Sequence, residues 1–181
     1  MDAEANKKLD EQRDKEERLA SLYDEYFDRI ARYIYVRLGD HHEAEDLAGE
    51  VFLRALKSLK SYKERGIPMQ AWLFKIAHNV LVDHYRKNKR MTTVSIDDVT
   101  VEARDNPAVS AERKIEMERV SKAMKELTPT QREVVQLRFF GGLSSREVGG
   151  ILGKSDGAVR EMQRAAVEKL RRLLTGSVPA F

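Results

Sequence analysis

Basic and short polar side chains between Lys154 and Arg164 form the stretch of this chain that could bind a polyanion. Arginine carries a fork of donors that reaches either phosphate or the acceptor edge of guanine, and glutamate can accept from the amino group of cytosine. Lys154 and the backbone amides beside Ser155 would hold phosphate oxygens at a helix amino terminus. The residues predicted to contact DNA here are Lys154, Ser155, Asp156, Gly157, Ala158, Arg160, Glu161 and Arg164.

The sequence around this stretch predicts the two helices that would position it. Ser144 and Glu147 have the spacing of a capping box at the start of a short helix. A tight turn follows at Gly153, and Ser155 caps a second, longer helix. Two helices joined in this way form a helix-turn-helix, whose second helix enters the major groove by its amino-terminal end. The alternative is a helical hairpin that packs only against protein.

Packing within this motif explains two glycines inside the short helix. Two steeply crossing helices need small residues where their backbones meet, and Gly149 or Gly150 can supply one. Each glycine costs about 1 kcal/mol of helix propensity relative to alanine, so a packing requirement is a reason to keep it. The residues expected to form the shared core are Val148, Ile151, Val159, Met162, Ala166, Leu170 and Leu173.

Apolar residues at a spacing of three and four predict three amphipathic helices in the first half of the chain. The first helix begins near Leu19 and ends at Gly39, and the second begins at a capping box of Asp40 and Glu43. The third begins near Trp72, and together the three helices predict a small bundle. Its expected core residues are Leu19, Leu22, Tyr23, Tyr26, Phe27, Ile30, Ile34, Leu38, Ala44, Leu47, Ala48, Val51, Phe52, Ala55, Leu59, Trp72, Leu73, Ile76, Ala77, Val80 and Leu81.

Charge is segregated along the chain, although the net charge is only +3. Residues 1–17 hold seven acidic and four basic residues, and we expect them to form an acidic tail before the first helix. Residues 85–90, with the sequence YRKNKR, hold four basic residues and no acidic one. Such a block indicates an anionic polymer as partner, and a solvated helix end is the alternative.

Helical periodicity disappears over residues 91–113, where acidic and β-branched residues surround Pro107, and this segment is predicted to be a linker. Periodicity returns at Ile115, and Thr128 with Pro129 starts a further helix. The predicted fold is all-α, with two small helical bundle domains joined by a flexible linker. The segments are an acidic tail at 1–17, a first domain at 18–90, the linker at 91–113, a helix-turn-helix domain at 114–175 and a tail at 176–181.

Several functional classes are disfavoured by composition and spacing. The chain has no cysteine, which excludes disulfides and thiolate zinc sites, and no apolar run approaches the roughly 18 residues of a membrane span. His78 and His84 are six residues apart, a spacing that does not bring them together on a helix. We find neither a phosphate-cradling glycine loop nor a nucleophile motif. We therefore expect a soluble, cytoplasmic protein that is not an enzyme and has no metal or cofactor site.

Three segments resemble the sigma factors of bacterial RNA polymerase, in the compact extracytoplasmic-function group that retains only regions two and four. Residues 43–59 (EAEDLAGEVFLRALKSL) are similar to region 2.2, and residues 71–87 (AWLFKIAHNVLVDHYRK) are similar to regions 2.3 and 2.4. Residues 127–160 (LTPTQREVVQLRFFGGLSSREVGGILGKSDGAVR) are similar to region four. The resemblance implies a protein that binds core RNA polymerase and directs promoter recognition and DNA opening.

The resemblance also implies protein partners. The region 2.2 helix would dock on the clamp of the largest polymerase subunit. The apolar helix around Val134, Leu137 and Phe140 would pack partly inside its own domain and partly on the flap of the second-largest subunit, and the sequence does not assign its residues between the two. Many relatives are held by an anti-sigma factor, which makes such a factor a candidate partner as well. The implied core-polymerase-binding residues are Asp46, Leu47, Glu50, Phe52 and Arg54.

DNA opening is implied for the loop at 61–70 and the helix that follows it. Opening requires trapping an unstacked base, and a pocket beside cationic side chains can offset the few kcal/mol of unstacking. Trp72 is expected to pack in the core rather than stack on a base, and Asp83 is expected to orient Arg86. The implied DNA-binding residues of this region are Tyr62, Lys63, Arg65, Lys75, His78, Asn79, Arg86 and Lys87.

The rival interpretation is a helix-turn-helix transcriptional regulator that binds operator DNA without being a polymerase subunit. A regulator of the response-regulator type predicts a first half built from alternating strands and helices. It also predicts tight operator binding by the isolated protein. The sigma resemblance implies instead weak, salt-sensitive DNA binding in the absence of core polymerase.

Overall fold

The computed structural model describes residues 2–63, 66–91 and 111–176. These residues fold into two compact units, one before and one after residues 92–110 in the sequence. Every regular element within the described ranges is helical. The all-α prediction with two helical units is confirmed. Most of the predicted linker, the tail at 177–181 and the candidate Arg65 lie outside the described residues.

Within the described part of the first unit there are three long helices and one short 3₁₀ helix. They are α1 (Asp2–Leu38), α2 (His41–Ser58), the 3₁₀ helix (Leu59–Ser61) and α3 (Met69–Met91). Gly39 ends α1 in the left-handed region at φ 73°, where a side chain would be strained. The Asp40 side chain then accepts from the Glu43 amide at 3.0 Å and caps α2.

Aromatic and aliphatic residues fill the space between these helices. Tyr33 and Phe74 are fully buried, with ring centroids 5.8 Å apart in an edge-to-face arrangement. Tyr23, which was expected in the core, is exposed, and its ring lies at the rim against Phe27 and Phe52. The predicted core residues that are buried are Leu19, Tyr26, Ile30, Ile34, Ala44, Ala48, Val51, Phe52, Ala55, Leu59, Leu73, Ala77, Val80 and Leu81.

The acidic amino-terminal segment is part of α1 and not a separate tail, which corrects the sequence expectation. Gln12 and Lys15 are half-buried on the same side of the helix as Leu19. Gln12 donates to Glu16 at 2.7 Å, a pairing four residues apart that supports a helix. The apolar periodicity begins only at Leu19, because long polar side chains occupy the inward-facing positions before it. The pattern therefore could not show where the helix begins.

Among residues 111–176, four helices build the second unit: α4 (Ala111–Lys125), α5 (Pro129–Phe139), α6 (Ser145–Leu152) and α7 (Asp156–Thr175). The capping box at Ser144 is confirmed, because its hydroxyl accepts from the Glu147 amide at 3.2 Å and its own amide donates to the Glu147 carboxylate at 2.6 Å. Thr128 and Gln131 form a second box at α5. Ser155 accepts from the Ala158 amide at 3.2 Å and caps α7, as predicted.

The core of this unit contains most of the predicted residues. Val148, Val159 and Ala166 are fully buried, and Leu170 packs against the cluster that contains Ala166. Leu173 is exposed, so its predicted place in the core was wrong. It lies almost a turn beyond Leu170, near the end of α7. The apolar spacing of the sequence continues there, but the side chain is no longer covered by the core of the unit.

Gly149 is the glycine that the motif requires. A Cβ at Gly149 would lie 2.4 Å from the carbonyl oxygen of Lys154, whereas nothing lies within 4 Å of a Cβ at Gly150. The close approach is therefore between α6 and the turn before α7, not between two helix backbones. Gly153 makes that turn in the left-handed conformation at φ 66°, and the Lys154 amide donates to the Gly149 carbonyl at 2.9 Å.

We expect Gly149→Ala to lower the free energy of unfolding of the second unit by about 1–3 kcal/mol, because the group that must move is backbone rather than a flexible side chain. Gly150→Ala is the matched control. It should raise the same free energy by roughly 0.5–1 kcal/mol through helix propensity. Urea denaturation followed by circular dichroism measures both. Equal midpoints for the two variants would contradict this account of Gly149.

Candidate nucleic-acid interface

The first turns of α7 present the predicted DNA-contacting side chains at the surface. Lys154, Arg160 and Arg164 are exposed, while Val159 is fully buried on the opposite face of the helix. Of the eight residues predicted for this stretch, Asp156 is half-buried and the other seven are exposed. The helix-turn-helix therefore holds these groups on a rigid frame with their polar atoms facing outward.

Ion pairs along α7 orient both arginines. The Arg160 guanidinium lies 2.8 Å from the Asp156 carboxylate, and the Arg164 guanidinium lies 2.7 Å from the Glu161 carboxylate. The hydrogen bond from Arg164 lowers the pKa of Glu161. Asp156 also accepts from the Ser145 hydroxyl and so ties α6 to α7. A carboxylate engaged in this way positions Arg160 and is a poor partner for phosphate.

Tyr62 forms one wall of a surface cleft in the first unit, and its ring is too buried to stack on a DNA base. Its side chain is only 6% exposed, and its hydroxyl donates to the Ile67 carbonyl at 2.8 Å. Its amide donates to the Leu59 carbonyl at 3.1 Å, and its ring centroid lies 4.8 Å from that of Trp72. Trp72 is half-buried, so the expectation of core packing holds for only part of its side chain.

An open cleft of about 310 Å³ lies beside this wall, a volume at the lower end of small-molecule pockets. Two lysines at its edge, Lys63 and Lys75, are exposed and give the cleft a cationic rim. We call it the α3 cleft. Its lining residues are Ser61, Tyr62, Lys63, Ile67, Trp72 and Lys75.

A row of polar side chains continues from the α3 cleft along α3. Lys75, Asn79 and Arg86 follow one side of the helix at intervals of four and seven residues, and all three are exposed. Lys87 is exposed but lies off this row, and His78 is half-buried. Lys75 belongs to both the cleft and the row, so the two surfaces are continuous.

Arg54 joins α2 to α3, a contact that the sequence did not reveal. Its guanidinium donates to Asp83 at 2.8 Å and to Glu50 at 2.9 Å. The direct partner of Asp83 is therefore Arg54, not Arg86 as expected. The hydrogen bond from Arg54 lowers the pKa of the Asp83 carboxyl, and the nearby charge of Arg86 lowers it further.

This pair predicts a small pH dependence of stability. Because the pKa of Asp83 is lower in the folded protein than its ordinary value near 4, the stabilisation is present above that value and is lost as pH falls through the folded pKa. Both side chains are more than a third exposed, so solvent screening limits the contribution to about 1 kcal/mol or less. We expect Asp83→Asn to lower the free energy of unfolding at pH 7, and this difference to disappear once the pH has fallen below the folded pKa of Asp83. Asp24→Asn changes an exposed aspartate of α1 and is the control for this measurement.

One of the predicted docking residues on α2 does not face outward. Phe52 is only 7% exposed and packs against Tyr23 and Phe27, so its ring supports the helix from inside. Leu53 and Leu56, which sequence reasoning missed, are 59% and 52% exposed. Apolar residues that fall outside the core stripe were the signal that could have found them.

Leu53 lies in a row on α2 with two exposed charged residues, Asp46 and Lys57, and with Glu50, which is half-buried. Asp46, Glu50, Leu53 and Lys57 follow each other at intervals of four, three and four residues, which places them on one side of α2. Leu47 and Arg54 are half-buried beside this row. We call these four residues the α2 row. An apolar side chain surrounded by charged groups is typical of the core and rim of a protein interface.

Two features of the described helices bear on other functional classes. Within the described residues, no helix is both long and apolar enough to cross a membrane. In the same part of the chain, no three histidine or acidic side chains are grouped so that they could hold a metal ion.

The fold and its exposed surfaces define a two-unit helical protein with a helix-turn-helix. Residues 22–91 match the family Sigma-70 region 2, and residues 123–172 match Sigma-70, region 4. The chain belongs to the extracytoplasmic-function (ECF) group of sigma-70 RNA polymerase sigma factors. Members of this family are non-catalytic and direct RNA polymerase to promoters, so the expected function and the expectation of a non-enzyme are confirmed.

Two known relatives support this assignment, and one solved structure shares the fold. The ECF sigma factor BldN of Streptomyces coelicolor is 38% identical over 156 residues, which span 84% of this chain and 59% of BldN. The ECF sigma factor ShbA of Streptomyces griseus is 36% identical over 78% of this chain and 80% of its own length. The structure of the sigma factor RpoE from Bartonella quintana, in complex with the anti-sigma factor NepR, has the same fold. Its TM-score is 0.68 at 24% identity, over 87% of this chain and 97% of that one.

Proposed function

We propose that this sigma factor opens promoter DNA with its first unit and reads the upstream promoter element with its second. The −10 element would enter the α3 cleft and follow the row of Lys75, Asn79 and Arg86. The −35 element would receive the first turns of α7 in its major groove. The observation that carries the proposal is the presence, in one chain, of an exposed helix-turn-helix and of a cationic cleft continuous with a polar helix face.

The α3 cleft has the features that capture of a single unstacked base requires. It is open to solvent, is lined in part by the aromatic residue Trp72, and has lysine side chains at its rim. The polar row along α3 would then hold the backbone of the same strand, since Arg86 lies about 16 Å from Lys75 along the helix axis. That length spans several phosphates of an extended strand.

We place the polymerase contacts on two surfaces. The α2 row would dock on the clamp of the largest subunit, with Leu53 as the apolar centre and Asp46 and Glu50 as the rim. In the second unit Val134 and Leu137 are fully buried, which leaves the exposed Phe139 as the apolar candidate for the flap of the second-largest subunit. Phe140, named from the sequence, is half-buried.

An anti-sigma factor is a further partner that we include in the proposal, together with a cytoplasmic location. Its support is the RpoE structure, which was solved with the anti-sigma factor NepR. An anti-sigma factor that holds this chain would lower transcription without affecting the fold. Adding a purified candidate to the transcription reaction below, before and after core polymerase, would test that expectation.

Run-off transcription with purified core polymerase tests the proposed function. A panel of promoters should yield specific start sites only when both the sigma factor and core polymerase are present. The isolated protein should bind the same DNA weakly and with strong salt dependence. Tight operator binding by the isolated protein, without any specific start, would instead support the rival helix-turn-helix regulator.

A further inference from the structure

Lys15 connects the amino-terminal part of α1 to the α3 cleft. Its ammonium group donates to the backbone carbonyl of Tyr62 at 3.0 Å, across a separation of 47 residues. The contact is partly buried, and Lys15 itself is half-buried on the helix side that continues into Leu19. A hydrogen bond from a charged donor in such a place is stronger than one between neutral groups.

The carbonyl that Lys15 holds belongs to the residue that shapes the cleft wall. The Tyr62 hydroxyl donates to the Ile67 carbonyl, and the Tyr62 ring packs on Trp72. Ile67 and Trp72 both line the cleft. A shift of the Tyr62 backbone would therefore move two further lining residues and change the shape of the opening.

We propose that Lys15 is a positioning residue for promoter opening, because it fixes the Tyr62 wall of the cleft that receives an unstacked base. The amino-terminal segment of α1, which the sequence presents only as an acidic stretch, is in this view part of the DNA-opening apparatus. Lys15 acts through Tyr62 and need not touch the DNA. The inference rests on the proposed role of the cleft in DNA opening.

The expected effect is on opening and not on the other steps of initiation. Lys15→Met keeps most of the aliphatic stem and removes the donor, and we expect it to slow open-complex formation by about five- to tenfold. Binding to core polymerase and recognition of the upstream element should remain at wild-type levels, because their proposed surfaces lie on α2 and α7. Lys15→Arg retains a charged donor and should restore most of the opening rate.

Trp72 provides a local probe, since it is the only tryptophan of the chain. Acrylamide should quench its fluorescence more strongly in Lys15→Met than in the wild type. Lys8→Met is the matched control, because Lys8 is an exposed lysine of the same helix segment whose ion pair is with Glu4. Circular dichroism of all variants should show equal helical content.

Permanganate reactivity of promoter thymines, measured over time with core polymerase, gives the opening rate directly. Wild-type opening by Lys15→Met would overturn the inference, and so would an equal defect in Lys8→Met or Lys15→Arg. Failure of the proposed function is a different result. In that case the wild-type protein itself would direct no specific opening.

Discussion

Replacing Arg160 by alanine is expected to reduce transcription from a matched promoter by about 5- to 150-fold, the equivalent of 1–3 kcal/mol for a lost base contact. Arg160 is the fifth residue of α7 and points outward from the turns that would enter the major groove. Arg164 lies about 6 Å further along the helix axis, where we expect phosphate to be the nearer partner. The two arginines should therefore differ in how much each contributes to discrimination between matched and mismatched upstream elements.

Binding to matched and mismatched upstream elements separates the two roles. Arg160→Ala should weaken binding to the matched element and leave the mismatched one nearly unchanged. Arg164→Ala should weaken both to a similar extent and reduce the salt dependence. Arg171→Ala is the control, since Arg171 is exposed on the same helix but lies about 16 Å beyond Arg160. Uniform weakening by Arg160→Ala would assign that side chain to phosphate.

The parts of this protein that the sequence predicts are those governed by local interactions. A capping box such as Ser144 with Glu147 acts across three residues, and a left-handed turn at Gly153 depends on one residue alone. The helix-turn-helix and the exposed face of α7 could therefore be predicted almost completely. Helical periodicity also separated buried from exposed faces in the first bundle.

Contacts between helices could not be predicted in this way. Arg54 and Asp83 are 29 residues apart, and Lys15 and Tyr62 are 47 residues apart. The periodicity of each helix indicates which side is buried. It carries no information about which side chains of another helix contact that side. For this reason the sequence predicts Arg86, which is three residues away, as the partner of Asp83. For the same reason the cleft and its connection to α1 became visible only in three dimensions.

The proposed docking face of α2 shows the same limit and leads to the prediction with the largest expected effect. Leu53→Glu should weaken binding to core polymerase by roughly 30- to 1000-fold, or about 2–4 kcal/mol. The change removes an apolar side chain from the centre of the α2 row and would place a charge in a desolvated interface. The free protein should stay folded, because Leu53 is 59% exposed and glutamate is a good helix former.

Leu9→Glu is the matched control for that measurement. Leu9 is 61% exposed on α1, so the same substitution is made at a similarly exposed leucine outside the α2 row. Phe52→Ala should behave in the opposite way to Leu53→Glu, since a buried aromatic ring typically costs about 3–5 kcal/mol of folding stability when truncated. Fluorescence anisotropy with labelled sigma factor measures core binding, and thermal unfolding measures stability. Wild-type affinity in Leu53→Glu would remove the α2 row from the polymerase interface, because a buried glutamate at its centre could not be tolerated without loss.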